Sequence, residues 1–217
     1  MSRNGNALRL TPEQLEQLRQ RAQSALENPG PSAETAELFE LLVRVDPDDG
    51  LAWFNLGDAL RSIGRLKEAE EALLTARELA PKSQRFTVDA RLGMVVSKRG
   101  SPADAEKWFR LATSDGECPG WVWVLRAANL IRKESMKLAR ECLKTAKLRD
   151  EVDLQEVLLN EALIELCEGN YEAAARCADE ALKIDPDYEP AQELLVSVRG
   201  AVEAKNYLQR LAEQRRI

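Results

Sequence analysis

Lys133, Lys137, Arg140, Lys144 and Lys147 recur at spacings of four, three, four and three residues. On an α-helix such a series lies along one side. It would offer a docking stripe to an acidic protein tail or another polyanion, acting chiefly on association rate and specificity. The competing expectation is internal pairing with acids of the following hairpin, such as Glu172, Asp179 and Glu180. Nucleic acid is not expected: the chain has 31 basic and 37 acidic residues, a formal net charge of −6, and no aromatic side chain interrupts the stripe. The other groups capable of chemistry are sparse. Cys118, Cys142, Cys167 and Cys177 form no CxxC pair, and read as reduced, small apolar residues of an interior. Histidine is absent from all 217 residues, which removes the usual general base, the Ser/His and Cys/His nucleophile pairs and histidine metal ligation. No P-loop, dinucleotide turn, nucleophile elbow or metal-ligand cluster can be read, and paired acids such as Asp48-Asp49 fit solvated turns. The expectation is a chain without catalysis, metal or cofactor.

The elements that would position such groups are written in a repeat. Ala69, Ala105, Ala139 and Ala174 are followed seven residues later by Ala76, Ala112, Ala146 and Ala181. About twelve residues before each first alanine stands a small residue: Gly57, Gly93, Ala127 or Ala162. Apolar positions at three- and four-residue spacing between them predict helices, not strands. Each period is then a helical hairpin whose small residues let the two backbones approach. Larger side chains such as Trp53, Leu56, Leu60, Leu73, Phe109 and Leu143 fill the rest. One hairpin cannot cover its own apolar face, so hairpins must stack. Thr11-Pro12-Glu13-Gln14, Ser32-Ala33-Glu34-Thr35 and Ser101-Pro102-Ala103-Asp104 place a hydroxyl at a helix start, the first with Gln14 as a box partner. Met1 to Leu10 contain no apolar run of signal-peptide length, and no segment approaches a membrane span. A soluble, cytoplasmic protein is the expectation.

Trp53, Leu56-Gly57, Leu60, Ala69, Leu73, Ala76 and Pro81 stand at the spacing of the tetratricopeptide repeat (TPR), which residues 50–83 therefore resemble. Residues 86–119 keep Leu92-Gly93, Ala105, Phe109 and Ala112; residues 120–153 keep Trp123, Ala127, Leu130, Ala139, Leu143 and Ala146. Residues 154–188 keep Ala162, Gly169, Tyr171, Ala174, Ala181 and the Asp185-Pro186 stop. Residues 12–48 look like a degenerate first repeat, broken at Asn28-Pro29-Gly30-Pro31, after a flexible 1–11 segment. Residues 189–217 give a capping segment, one long helix or two broken at Gly200, with Glu203, Lys205, Gln209, Arg210, Glu213 and Gln214 on a polar outer face. The resemblance implies an all-α, right-handed solenoid of about five hairpins, in the style of a stand-alone bacterial TPR protein.

It also implies a function. In the family the first helix of each hairpin lines a concave groove that receives a peptide or helix of a partner protein. Carried onto this chain, the groove begins with Gln17, Gln20 and Ser24 and continues through Leu51, Phe54, Asn55, Asp58 and Arg61. Thr87, Ala90, Arg91, Met94 and Lys98 follow, then Trp121, Val124, Leu125, Ala128 and Ile131, and last Glu156, Leu159, Asn160 and Leu163. Phe54, Met94 and Trp121 would be apolar anchors, and Asn55, Arg61 and Arg91 polar grips. For Phe54 and Val124 the alternative is packing of the first helix against its neighbour, and for Trp121 it is packing onto the Asp115–Pro119 loop. A carboxylate clamp of the chaperone-binding TPR type would need lysines where Gln20 and Thr87 stand and an asparagine at Ser24; only Asn55 and Arg91 agree, so that clamp is rejected. A non-enzymatic adaptor, monomeric or weakly self-associating, is thus expected. The alternatives are a self-assembling subunit that uses its ends and a polyanion binder that uses the 133–147 stripe.

Overall fold

The computed structural model describes residues 10–27, 32–114 and 118–214, giving backbone alone at 208, 209 and 211–214. The expected flexible terminus at 1–9, the break at 28–31 and residues 115–117 of the loop before Trp121 lie outside that description. Among the described residues there are eleven α-helices, one short 3₁₀ turn and no strand. The chain divides into two compact units, residues 1–116 and 117–217. The first holds α1 (Pro12–Glu27), α2 (Ala33–Val45), α3 (Gly50–Ser62), α4 (Leu66–Leu79), a 3₁₀ turn at Lys82–Gln84, α5 (Arg85–Lys98) and α6 (Pro102–Ala112). The second holds α7 (Gly120–Arg132), α8 (Met136–Ala146), α9 (Leu154–Cys167), α10 (Tyr171–Ile184) and α11 (Glu189–Gln214).

Local chemistry sets the helix starts. At α1 the Thr11 hydroxyl accepts the Gln14 amide N–H at 3.2 Å, while Gln14 Oε1 accepts the Thr11 N–H at 2.9 Å, a reciprocal box. Ser32 Oγ accepts from Thr35 N at the start of α2, and Asp49 Oδ1 accepts from Ala52 N at 2.9 Å at the start of α3. At α6 the hydroxyl behaves differently. Ser101 Oγ donates to Asp104 Oδ2 at 2.6 Å and makes no cap bond to the backbone. The ionised carboxylate is the stronger acceptor, so it accepts the hydroxyl's hydrogen bond, and its charge sits favourably at the helix start.

Helices pair into hairpins through the small residues. A Cβ added to Gly57 would lie 2.5 Å from Leu73 Cγ, and one added to Gly93 would lie 2.8 Å from Phe109 Cζ. The same sixteen-residue offset relates Ala127 to Leu143 and Ala162 to Ala178, all four fully buried. Both alanine series are buried throughout, none more than 1% exposed. The hairpin turns share a second position. Gly64, Gly100 and Gly169 have φ of 83°, 96° and 79°, each five residues before the first alanine of its pair; the corresponding residue of the α7–α8 hairpin is Glu134, at φ 57°. A side chain in that left-handed conformation costs about 1–2 kcal/mol, partly offset because glycine loses more entropy on folding. Glu134→Gly should therefore raise stability by about 0.5–1 kcal/mol, visible as a higher urea midpoint at unchanged slope.

α11 is one continuous helix of 26 residues that runs through Gly200. A helix-interior glycine costs about 1 kcal/mol but does not break the hydrogen-bond ladder. Its first half completes the core of the second unit, where Ala191, Leu194, Leu195 and Val198 pack with Ala174, Ala178 and Ala181. It stands as the first helix of a further hairpin would. Gln192 Nε2 donates to the Pro186 carbonyl at 2.8 Å, reproducing the bond from Trp53 Nε1 to the Pro47 carbonyl at 2.8 Å. Glutamine thus keeps the turn bond while removing the indole that a second helix would bury. Glu203, Lys205 and Arg210 are exposed, as a cap requires; the side chains of Gln209, Glu213 and Gln214 lie outside the described residues.

Candidate functional site

Two clefts flank one exposed leucine in the first unit. Leu51, on the first turn of α3, is a large apolar side chain that is 68% exposed. On one side of it a cleft of about 430 Å³ opens between α1 and α3. Phe39, Leu42 and Ala52, each under 5% exposed, line its apolar part, and Gln20, Ser24 and Asn55 line its polar part. On the other side a cleft of about 320 Å³ runs between α3, α4 and α5, lined by Leu51, Phe54, Leu79, Pro81, Thr87 and Val88. The Asp49 cap sets the position of Leu51: by starting α3 at Gly50 it turns the residue after it away from the hairpin interior.

The expected grips behave otherwise. Asp58 is half-buried, with Oδ1 2.9 Å from Arg61 Nε and Oδ2 3.2 Å from Arg91 Nε. Arg91 Nη1 lies a further 3.3 Å from Met94 Sδ. One carboxylate thus gathers both guanidiniums and ties α3 to α5. Ala90 and Val124, expected on the groove wall, are 0% and 5% exposed and present no surface. Val124 instead packs in the core of the second unit with Ala127, Leu130 and Leu143. Within that unit Trp121, Ala128 and Ile131 are half-buried on α7, Ile131 packed against the same core. On α9 Asn160 is 3% exposed, its Nδ2 donating to the Glu156 carbonyl at 2.7 Å, so it is a buried residue and not a groove amide.

The cleft between α1 and α3 has walls that the sequence pattern did not single out: Glu16, Arg19, Gln23 and Glu27. The signal for the two glutamates and Gln23 was the run Glu16, Gln20, Gln23 and Glu27, a single helical stripe with two glutamines between two glutamates. Gln20 Nε2 donates to Glu16 Oε1, and Gln23 Nε2 to Glu27 Oε1, both at 3.2 Å. Arg19 binds Asp46 at 2.8 Å and Asp49 at 3.3 Å.

The basic series does not share one helix: Lys137, Arg140 and Lys144 lie on α8 and Lys147 ends it, but Lys133 ends α7, across the turn at Glu134. Part of the series is used internally. Arg140 meets Glu165 at 2.9 Å and Glu168 at 2.6 Å, and Lys147 meets Glu161 at 2.7 Å. The Asn170 amide, and then Arg140, hold the Glu165 carboxyl below its usual range against the effect of burial. These acids lie on α9, not on α10 where Glu172, Asp179 and Glu180 were expected to serve, because the second helix of one hairpin stacks on the first helix of the next. Lys133 is half-buried; Lys137 and Lys144 are exposed and make no ion pair among the described residues. The cysteines divide as well. Cys118 and Cys142 are buried as expected, but Cys167 is exposed on the last turn of α9, and Cys177 is half-buried. Burial, and then the Glu161, Glu180 and Glu165 carboxylates, push the Cys177 thiol up, away from the reactive thiolate. Among the described residues no group of three metal-ligating side chains converges, and no helix is long and apolar enough to cross a membrane.

Two segments, residues 20–84 and 155–188, match family models described as tetratricopeptide repeat. No curated protein matches the chain in sequence. Solved structures do match in fold. MamA 41-end from Desulfovibrio magneticus RS-1 aligns at a TM-score of 0.64 with 15% identity, over 81% of this chain and 97% of that one. YrrB, described as a TPR protein with an unusual peptide-binding site, aligns at 0.58 with 17% identity, over 83% and 88%. PilF of Pseudomonas aeruginosa aligns at 0.59 with 20% identity, over 84% and 90%. At these identities the likeness is one of fold.

Proposed function

We propose that this chain, a tetratricopeptide-repeat protein, is a non-enzymatic interaction module that receives a peptide of a partner protein beside Leu51, on the first-helix face of its N-terminal unit. The observation that carries the reading is Leu51 itself: an exposed leucine on the wall shared by two clefts. An extended peptide laid across it would bury apolar side chains on either side, while Gln20, Ser24 and Asn55 offer amides and a hydroxyl to its backbone. YrrB supplies a precedent for a peptide site on this fold. A carboxylate clamp is not supported, since Arg91 is engaged by Asp58 and the clamp's lysine positions hold Gln20 and Thr87.

The test is selection from a phage-displayed library of random 12-residue peptides on the immobilised chain, with affinities of the enriched peptides then measured by fluorescence anisotropy. Leu51→Ser, an exposed change, should leave the helical circular dichroism intact and weaken the selected peptides about ten-fold or more, the worth of one buried leucine side chain. Enrichment of nothing, or peptides indifferent to Leu51→Ser, would overturn the reading.

A further inference from the structure

Resting on that reading, we infer that the peptide this site takes is basic and apolar, a lysine or arginine in the α1–α3 cleft and an apolar side chain in the α3–α5 cleft. The two clefts share Leu51 but differ in charge. The α1–α3 cleft carries three carboxylates, Glu16, Glu27 and Asp49, against the single guanidinium of Arg19. That guanidinium is already committed to Asp46 and Asp49. Glu16 and Glu27 line the cleft, are exposed and pair with no cation among the described residues; each accepts a glutamine amide, from Gln20 or Gln23. An anionic rim above the apolar Phe39, Leu42 and Ala52 suits an amphipathic cation, whose methylene stem lies on the apolar part while the charged head meets the rim.

The α3–α5 cleft contains no ionisable side chain in its lining; Gln84 and Thr87 are its only polar side chains. A charge entering it would be desolvated without a partner, so it takes an apolar residue. Neighbouring gaps between packed helices are about 10 Å apart, which an extended chain crosses in about three residues. An acidic peptide meets the opposite situation, with its carboxylates brought against Glu16, Glu27 and Asp49.

The experiment uses three 12-residue peptide pools with identical leucine content at fixed positions. The remaining designed positions hold lysine and arginine in one pool, aspartate and glutamate in the second and serine in the third. Binding to the full chain is read by fluorescence anisotropy at 50 mM and 500 mM NaCl. The basic pool should bind at least five-fold more tightly than the acidic pool at low salt, with the gap narrowing at high salt. In Glu16→Gln/Glu27→Gln, both exposed changes, the gap should shrink to two-fold or less, with the basic pool losing more affinity than the serine pool. Equal or tighter binding of the acidic pool would overturn the inference and leave the peptide module standing. A basic preference untouched by the double variant would overturn it too, placing the charge contact elsewhere. Failure of all three pools, together with an empty phage selection, would remove the underlying reading as well.

Discussion

Replacing Arg77 with methionine should cost the N-terminal unit about 3–5 kcal/mol, among the largest effects expected of any single change away from the apolar core. Arg77, on α4, pairs with Asp89 of α5, and its guanidinium also lies 5.6 Å from the centre of the Trp108 ring on α6. The Asp89 side chain is 5% exposed, so its charge depends on that partner. Methionine keeps most of the stem and its packing but leaves a carboxylate buried alone, and the loss is the desolvation of that carboxylate more than the loss of the bond. The measurement is urea unfolding followed by circular dichroism, with a second variant to separate the causes. Arg77→Met/Asp89→Leu, which removes both charges, should recover most of the loss, because an apolar pair of similar volume tolerates burial. A double variant as unstable as the single one would show that packing under Trp108, not the stranded charge, holds α4, α5 and α6 together.

That ion pair also marks where sequence reading stops. The repeat was legible because its constraint is local and periodic: each hairpin needs small residues where its two helices touch, and Ala69, Ala105, Ala139 and Ala174 are fully buried for that reason. The box at Thr11 and Gln14 was legible because it closes within four residues. Arg77 and Asp89 are separated by a helix end, a proline and a 3₁₀ turn, so their meeting depends on how one hairpin stacks on the next. The same dependence misplaced other residues. Arg61 and Arg91 looked like independent grips until stacking brought Asp58 between them. The acids that meet Arg140 and Lys147 stand on the first helix of the following hairpin, where the expected ones stood on its second. Ala90 and Val124 were assigned outward because one residue turns a helix by about 100°, enough to carry a neighbour from wall to core. Leu51, on the first turn of α3 beside the Asp49 cap, is exposed. Glu134 went unread because nothing in a glutamate announces positive φ; only superposing its turn on Gly64, Gly100 and Gly169 does.

The hairpin contact itself predicts a strongly coupled pair. Phe109 is 2% exposed and among the largest fully buried side chains, and Phe109→Ala should cost about 3–5 kcal/mol, the sum of lost transfer energy and the cavity left behind. Gly93→Ala should cost about 1–3 kcal/mol for the opposite reason, since its new Cβ would press on the ring atoms Cζ, Cε1 and Cε2 at 2.8–2.9 Å. The two costs cannot add. With the ring gone, the methyl at position 93 enters empty space and gains the contacts that it lacked, and the better helix propensity of alanine adds to the gain. Gly93→Ala/Phe109→Ala should therefore be more stable than Phe109→Ala alone, with a coupling energy of at least about 1 kcal/mol in a double-mutant cycle read by urea unfolding. Simple additivity would mean that Gly93 and Phe109 do not oppose each other, and with that the sixteen-residue offset relating Gly57 to Leu73 and Ala127 to Leu143 would lose its physical basis.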